Sequence, residues 1–478
     1  MFGNLFKELT NKSNSLVNLV NRQLDKDAIA ALLQTTPEAL QAFEQEYDKV
    51  TQEHIPEDIF DMNAKQAAEQ HEGIIPNDCP VQPIIDRIVK ELLAITPTWC
   101  YDGKVVSTTE GTLFEAFDPV TNEEIKRLPE TLRPQLTGHL VMKDIKEPAY
   151  LELIRTWQQM KQTSDPRFKR QLYGHFRQGL DMLDLDSVMY EMLGTNPNSM
   201  GYWLPRLIDT ITTQTMFRVP KTTIFKVPLP MLQLSRLSYE TLTRTTLDIV
   251  DQFVFQLCHL DENASYFIKT GTYSNKFDFR NVKITTPKEV RELGEYLVFI
   301  QHYASMMAGP LNNVSIYGVS TTNEYVVREF IEDAENNPTI YHGLPLHTEY
   351  RVFVDFDTKE ILGINPYWDP KTMKERFDHA EDSNDPDKIH DSIIYRMHEP
   401  ILMQRYEANK DHVLTEVQKL LNHQTQMHGQ WSLDIMQNGT DFWFIDMALA
   451  ANSALKECIP AGKLKPVAEN WIPDLSNN

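Results

Sequence analysis

Cysteine is scarce. The 478 residues hold four, Cys79, Cys100, Cys258 and Cys458, with no CxxC pair among them. That spacing excludes a disulfide framework and a thiolate zinc site, and it predicts a reducing compartment, the cytoplasm. Nowhere is there an apolar run of the about 18 residues that a membrane-spanning helix needs. The Met-Phe-Gly-Asn-Leu-Phe-Lys start has no charged region followed by a long apolar stretch, so no secretory signal is expected. Positive charge is in deficit as well. Forty-six Lys and Arg face 68 Asp and Glu, a net −22. Such a field disfavours nucleic acid and anionic membrane as partners, although a local basic pocket can still hold a phosphate. No internal repeat and no low-complexity linker marks a domain boundary. The GxxxxGK[ST] spacing of a Walker loop is missing, and the histidines of the C-terminal half show no HExxH pattern. Lys269-Thr270-Gly271 has the letters of the penicillin-enzyme triad, but no SxxK precedes it in a suitable place.

Hydrophobic residues at 41% and charged residues at 24% are ordinary for a globular chain. The length allows about three domains and an ample core. Residues 1–75 read as polar and helical. Thr36-Pro37-Glu38 is a helix start, and residues 44–78 carry ten acids against two lysines. A further amphipathic helix is expected over 84–95, then short strands over 99–106, 112–117 and 125–128. Residues 148–161 and 173–193 read as helical, and 196–201 as a loop.

From about Pro205 short β-rich runs alternate with helices. Strands are expected over 216–219, 223–227 and 266–269, and a helix over 238–260. Thr286-Pro287-Lys288-Glu289 is a capping box. It opens a helix with Val290, Leu293, Leu297, Ile300 and Ala304 on one face. Further strands are expected over 325–331, 349–355 and 360–365, and a helix over 411–421. Residues 431–447 read as a hairpin about Asn438-Gly439.

Four places carry candidate chemistry. Asp434 and Asp446 lie on the two arms of that hairpin, and register decides whether they meet. A two-residue Asn438-Gly439 loop sends them to opposite faces. A three-residue loop through Thr440 sets Asp434 against Phe444 and Asp446 against Ser432, one diagonal step apart on one face. Two hard oxygens near one point suit Mg²⁺ shared with phosphates. The second place is 266–276, where Lys269 ends an apolar strand at a core's edge with its ammonium free. A Gly- and hydroxyl-rich turn and Lys276 follow, able to cradle phosphate oxygens. Third, the strand through Arg328 passes into Glu329, Phe330, Ile331 and Glu332, which offer backbone groups to an adenine edge and a carboxylate to a ribose. Fourth, Glu349 and Arg351 share a strand face, with Tyr350, Val352 and Val354 turned to the core. Arg351 has the fork to clamp a phosphoryl oxygen. Each place also has a bland reading: an ordinary hairpin, a polar turn, an acidic strand exit, a surface ion pair.

Taken in order, Pro220-Lys221-Thr222, Phe267-Ile268-Lys269, Val326–Ile331, Glu349–Val354 and then Asp434 and Asp446 resemble the ATP-grasp superfamily. The Glu-x-Arg-x-Phe strand is most similar to the divergent phage and bacterial members. The resemblance covers residues 205–460, roughly half the chain. It implies an α+β fold: an ATP-grasp-like, two-lobed core over 205–462 that grips ATP. Residues 1–130 would then be an acidic, mostly helical accessory region with a small β element, 131–204 a helical connector, and 463–478 a tail. By the same resemblance Lys269 holds the α- and β-phosphates. Arg328 and Glu329–Glu332 form the nucleotide hinge, with Glu349 in the ATP-binding set. Asp434 and Asp446 bind Mg²⁺, and Arg351, helped by Lys276, meets the transferred phosphoryl group. The chain departs from the pattern at one place. Where the family commonly has Asn two residues after the second metal carboxylate, Ala448 stands here, and Asn452 comes four further on. That implies a second metal held differently, or a site that has lost activity.

The implied function is an ATP- and Mg²⁺-dependent ligase that activates a carboxylate as an acyl phosphate for attack by an amine or thiol, with a peptide or protein among the candidate substrates. Two rivals stand beside it. One is a nucleotidyltransferase of the RNA-ligase type with Lys269 as nucleophile, although its KxDG and EGxVxK patterns are absent. The other is a non-catalytic ATP-binding interaction protein whose acidic N-terminal region docks a partner.

Overall fold

The computed structural model describes residues 81–111, short stretches between 128 and 194, residues 196–307 except 236 and 238–240, and residues 322–465 except 379 and 381–384. The acidic stretch 44–78, the elements expected over 112–117, 125–127, 148–161 and 173–189, and the 466–478 tail lie outside the described residues. No helix among the described residues is long and apolar enough to cross a membrane.

The fold is α+β, built on two antiparallel sheets. Sheet A has six strands in the order β2-β1-β3-β6-β4-β5, with β1 Thr98–Tyr101, β2 Val106–Thr109, β3 Thr222–Lys226, β4 Tyr266–Thr270, β5 Lys283–Ile284 and β6 Glu324–Glu329. Sheet B has four in the order β10-β9-β11-β12, with β9 Thr348–Asp355, β10 Glu360–Pro366, β11 Gln430–Asn438 and β12 Asp441–Leu449. A small β7–β8 hairpin, Thr339–Ile340 and Leu344–Pro345, lies on the chain between them.

Sheet A is apolar on both faces, which is why β6 is an unbroken Tyr325-Val326-Val327 run rather than an alternating one. Tyr325, Val327, Ile268 and Phe225 face one core, with helices α1 (Val81–Ile95), α3 (Leu229–Leu234), α4 (Arg244–Leu257), α6 (Leu293–Met307) and α7 (Pro370–Arg376). Ile224 and Val326 face a second core, shared with helix α2 (Met200–Gln214) and with Val352, Leu433 and Phe444 of sheet B. Strand register then places Lys269 beside Val326, and Arg328 beside Phe267 and Thr222. Both cationic residues therefore project from the face of sheet A that looks toward sheet B.

Several expected elements change shape. The strand over 99–106 is a hairpin instead, because Asp102 accepts from the backbone N–H of Lys104 and Val105 and turns the chain at Gly103 (φ 98°). Residues 216–219 make one parallel bridge, Arg218 with Trp443, rather than a strand. Helix α2 runs through Pro205, across the boundary expected at 204/205. The helix expected over 238–260 begins only at Arg244, where Thr243 caps it. The capping box at Thr286 is present, but it opens the short α5 (Pro287–Arg291). The chain breaks at Glu292 before α6, whose Glu295 N–H donates to Asp251. The helix expected over 411–421 is the end of the 38-residue α8 (Pro386–His423), which starts on Asp385 and runs through Pro400.

Candidate functional site

The final hairpin has neither of the two registers expected from its turn. Asn438 pairs with Asp441 across a Gly439-Thr440 loop, and pairing is regular to Ile435 opposite Phe444. The ladder then shifts, and Asp434 stands opposite Asp446. The residue inserted at the shift is Ile445. A bulge of this kind puts two residues against one and re-aims the side chains that follow. Without it Asp446 would lie on the core face with Phe444. With it, both aspartates leave on the face away from the second core.

Lys269 does not end at a core's edge with a free ammonium. Its side chain is 2% exposed, and Nζ pairs with Asp446 Oδ2 at 3.0 Å, the carboxylate being 38% exposed. Two strands of different sheets thus meet through one ion pair. Arg328 adds a second link. Its Nε donates to Thr222 Oγ1 at 3.2 Å and its Nη1 to the Ile445 carbonyl at 2.6 Å, while Nη2 is buried without a partner. Burial lowers its pKa to about 10, against the pull of nearby Asp446. The carbonyl freed by the bulge is therefore the acceptor that joins β12 to β6.

Arg351 sits opposite Asp434 in the β9–β11 ladder and grips it with a two-pronged fork, Nε to Oδ1 at 2.8 Å and Nη2 to Oδ2 at 2.6 Å. Burial works against the guanidinium charge, but Asp434 outweighs it and raises the Arg351 pKa. Glu349, two residues earlier on the same face, is 7% exposed, and burial pushes its pKa up to about 7. The polar face of β9 is thus an interior wall of the site and not a surface ion pair. Lys276 Nζ lies 3.7 Å from the centre of the Tyr367 ring; burial lowers its pKa, but Tyr367, by its charge and a side-chain hydrogen bond, and then Glu349 and Asp434 outweigh that and raise it.

The residues expected to form a hinge are placed less tightly. Glu329 is exposed, with Lys221 at 3.9 Å. Phe330 is half-buried against Phe279, with Lys283 Nζ 4.2 Å over its ring. Ile331 is half-buried, and Glu332 is exposed, its carbonyl accepting from Asn438 Nδ2 at 2.8 Å. Ala448 faces Ser432 in the hairpin and offers no ligand; the neighbouring Leu449 N–H donates to Asn198 Oδ1 at 2.7 Å.

Lys269, Arg328, Arg351, Lys276, Glu349, Asp434 and Asp446 thus share one polar region between the sheets, and Glu329–Glu332 lead away from its rim. No family model matches the chain, and no curated protein matches it. Solved structures similar to it include Cdc123 from Schizosaccharomyces pombe at 13% identity and a C-terminally truncated Cdc123 from the same organism at 14%. Each has a TM-score of 0.32 and covers 57% of this chain and 94% of its own. A likeness at that score carries no argument about the site.

Mg²⁺ takes one or two protein carboxylates and fills its remaining positions with water and phosphate oxygens. Two carboxylates directly across a strand pair fit that donor set. Among the described residues no group of three or more His, Cys, Asp or Glu forms an all-protein cage. Tyr367 and Trp368, just beyond β10, are site residues that the motif reading missed. The phase change of the β12 apolar pattern, from Phe442 and Phe444 to Met447 and Leu449, is the signal that would have given the bulge.

Proposed function

We propose that the chain is an ATP- and Mg²⁺-dependent ligase with an ATP-grasp-like core, which activates a carboxylate as an acyl phosphate for an amine or thiol acceptor. The observation that carries this reading is the meeting of Lys269 and Asp446 across the two sheets, with Asp446 opposite an Arg351-bound Asp434. In this reading Lys269 and Arg328 orient the polyphosphate. The unpartnered Nη2 of Arg328 is the donor left for a phosphate oxygen. Arg351 and Lys276 would neutralise the negative charge that moves during transfer, on the acceptor side. Asp434 and Asp446 would hold Mg²⁺, which when bound neutralises charge between the phosphates. The overall chemistry is attack of a carboxylate oxygen on the γ-phosphorus with ADP leaving, then attack of the acceptor on the acyl carbon with release of phosphate and a proton. Little covalent work falls to the protein; positioning and charge do the rest. A peptide or protein substrate and a cytoplasmic setting belong to the same proposal, the latter in keeping with the free thiols Cys100, Cys258 and Cys458.

The test is incubation of the full chain with Mg-ATP. ADP is the expected nucleotide product, and Lys269→Ala and Asp446→Ala are expected to lower its formation by at least about a hundredfold. AMP as the product, or a lysine–AMP adduct, would reject the reading. Ala448 favours a second reading, an ATP-binding interaction protein. Its signature would be Mg-ATP binding by calorimetry with no ADP formed in the presence of any candidate acceptor.

A further inference from the structure

Lys276 and Arg351 converge on one aromatic ring. Lys276 Nζ is 3.7 Å and Arg351 Cζ 4.6 Å from the centre of Tyr367. Their other anchors differ. Arg351 is already fixed by its fork to Asp434. Lys276, among the described residues, has no carboxylate within ion-pair distance, and its remaining ring contact is Trp368 at 5.6 Å. It follows Asn275, a left-handed residue (φ 45°), at the start of a short 3-10 turn. A long flexible side chain in that place needs something to hold its head.

The ring itself is held firmly. Tyr367 N–H donates to the Glu349 carbonyl at 2.9 Å, and its ring meets Trp368 edge-on at 5.3 Å. Trp368 is pinned at both ends, donating from Nε1 to the His347 carbonyl at 3.1 Å and accepting at its own carbonyl from Tyr395 Oη at 3.0 Å. An aromatic face attracts a cation most when both are shielded from water. We infer that Tyr367 is a positioning residue whose ring face fixes the Lys276 ammonium beside the Arg351–Asp434 fork. What the fixed ammonium then does in catalysis rests on the ligase reading; that the ring fixes it does not.

Two readouts on the full chain separate these claims. Competitive acetylation followed by mass spectrometry reports how well each lysine head is covered, with no nucleotide present. Tyr367→Leu is expected to raise labelling of Lys276 by about tenfold and leave Lys269 unchanged, whereas Tyr367→Phe, which keeps the ring face, labels like the wild type. Unchanged labelling in Tyr367→Leu, or equal exposure in Tyr367→Phe, overturns the inference. Should Tyr367→Leu not fold, pentafluorophenylalanine placed at 367 keeps the shape and reverses the ring's electrostatics; it must raise labelling too, and failure to do so is fatal. In turnover with Mg-ATP, Tyr367→Leu is expected to lower kcat about tenfold with KM for ATP within about twofold, and Tyr367→Phe to restore it. Wild-type kcat in Tyr367→Leu rejects the positioning role. If the wild type forms no ADP at all, the ligase reading falls and the labelling result alone decides whether the ring holds Lys276.

Discussion

Lys269 and Asp446 are unequal partners. The ammonium is 2% exposed and the carboxylate 38%. Removing Asp446 strands a buried charge, whereas removing Lys269 leaves a carboxylate that water can reach. Breaking a fully buried pair costs about 3–5 kcal/mol, and the partial exposure of Asp446 trims that. Asp446→Ala is therefore expected to lose about 2 kcal/mol of stability in urea unfolding, and Lys269→Met under about 1 kcal/mol. Equal losses would mean that the ammonium is not stranded. Glu349 adds a pH term of definite sign. Burial holds its folded pKa at about 7, above the value near 4.3 of an unfolded chain. The folded state binds that proton more tightly, so the contribution is fully present below about pH 4 and is lost as pH rises through about 7. Between about pH 4 and 8 the stability of wild type relative to Glu349→Gln is expected to fall by up to about 3 kcal/mol. Parallel curves for the two proteins would contradict the assignment.

At the scale of elements, the β12 bulge does the most with the least. Core-facing residues run Phe442 and Phe444, then Met447 and Leu449, opposite Gln437, Ile435, Leu433 and Trp431. One extra residue, Ile445, keeps both halves of the strand on the core while it turns Asp446 toward Asp434 and frees a carbonyl for Arg328. Deleting Ile445 should let the ladder close with every core pair kept. The thermal midpoint is then expected within a few degrees of wild type, while Mg-ATP affinity by calorimetry falls about tenfold because Arg328 loses its acceptor. A deletion variant that unfolds would show that the bulge is structural instead. Most elements here were legible because the local rules govern them: apolar alternation in β9, the Thr286 capping box, the amphipathic stripe of α1. What was misread has a local cause too. The boundary expected at 204/205 falls inside α2, which runs through Pro205 because packing of Trp203 and Leu207 outweighs one lost backbone bond. Asn438-Gly439 looks like a turn centre, but the chain turns one residue later, at Gly439-Thr440.

Across the whole molecule the site is an agreement between two sheets. Lys269 and Asp446 lie 177 positions apart in the chain. Their residue types could be read as cation and carboxylate, but their meeting depends on the β3-β6-β4 register of one sheet and the bulge of the other, which no local pattern contains. The same convergence explains why Lys269 looked like a free edge lysine: its own strand is apolar, and the partner that buries it belongs to a different sheet. Apart from the Lys269–Asp446 and Arg328–Ile445 links, the sheets share an apolar core with α2 and α8 on one side of the polar region. A ligand seated among those charges would touch both sheets at once and add contacts that only the folded chain offers. Such binding stabilises by about 2.7 kcal/mol at a hundredfold excess over Kd. Mg-ATP at that excess is expected to raise the wild-type thermal midpoint by roughly 3 °C. Lys269→Met should lose most of that rise while starting from nearly the same midpoint, because its own folding cost is small and the proposed phosphate contact would be gone. A rise of equal size in both proteins would place the nucleotide away from the seam between the sheets.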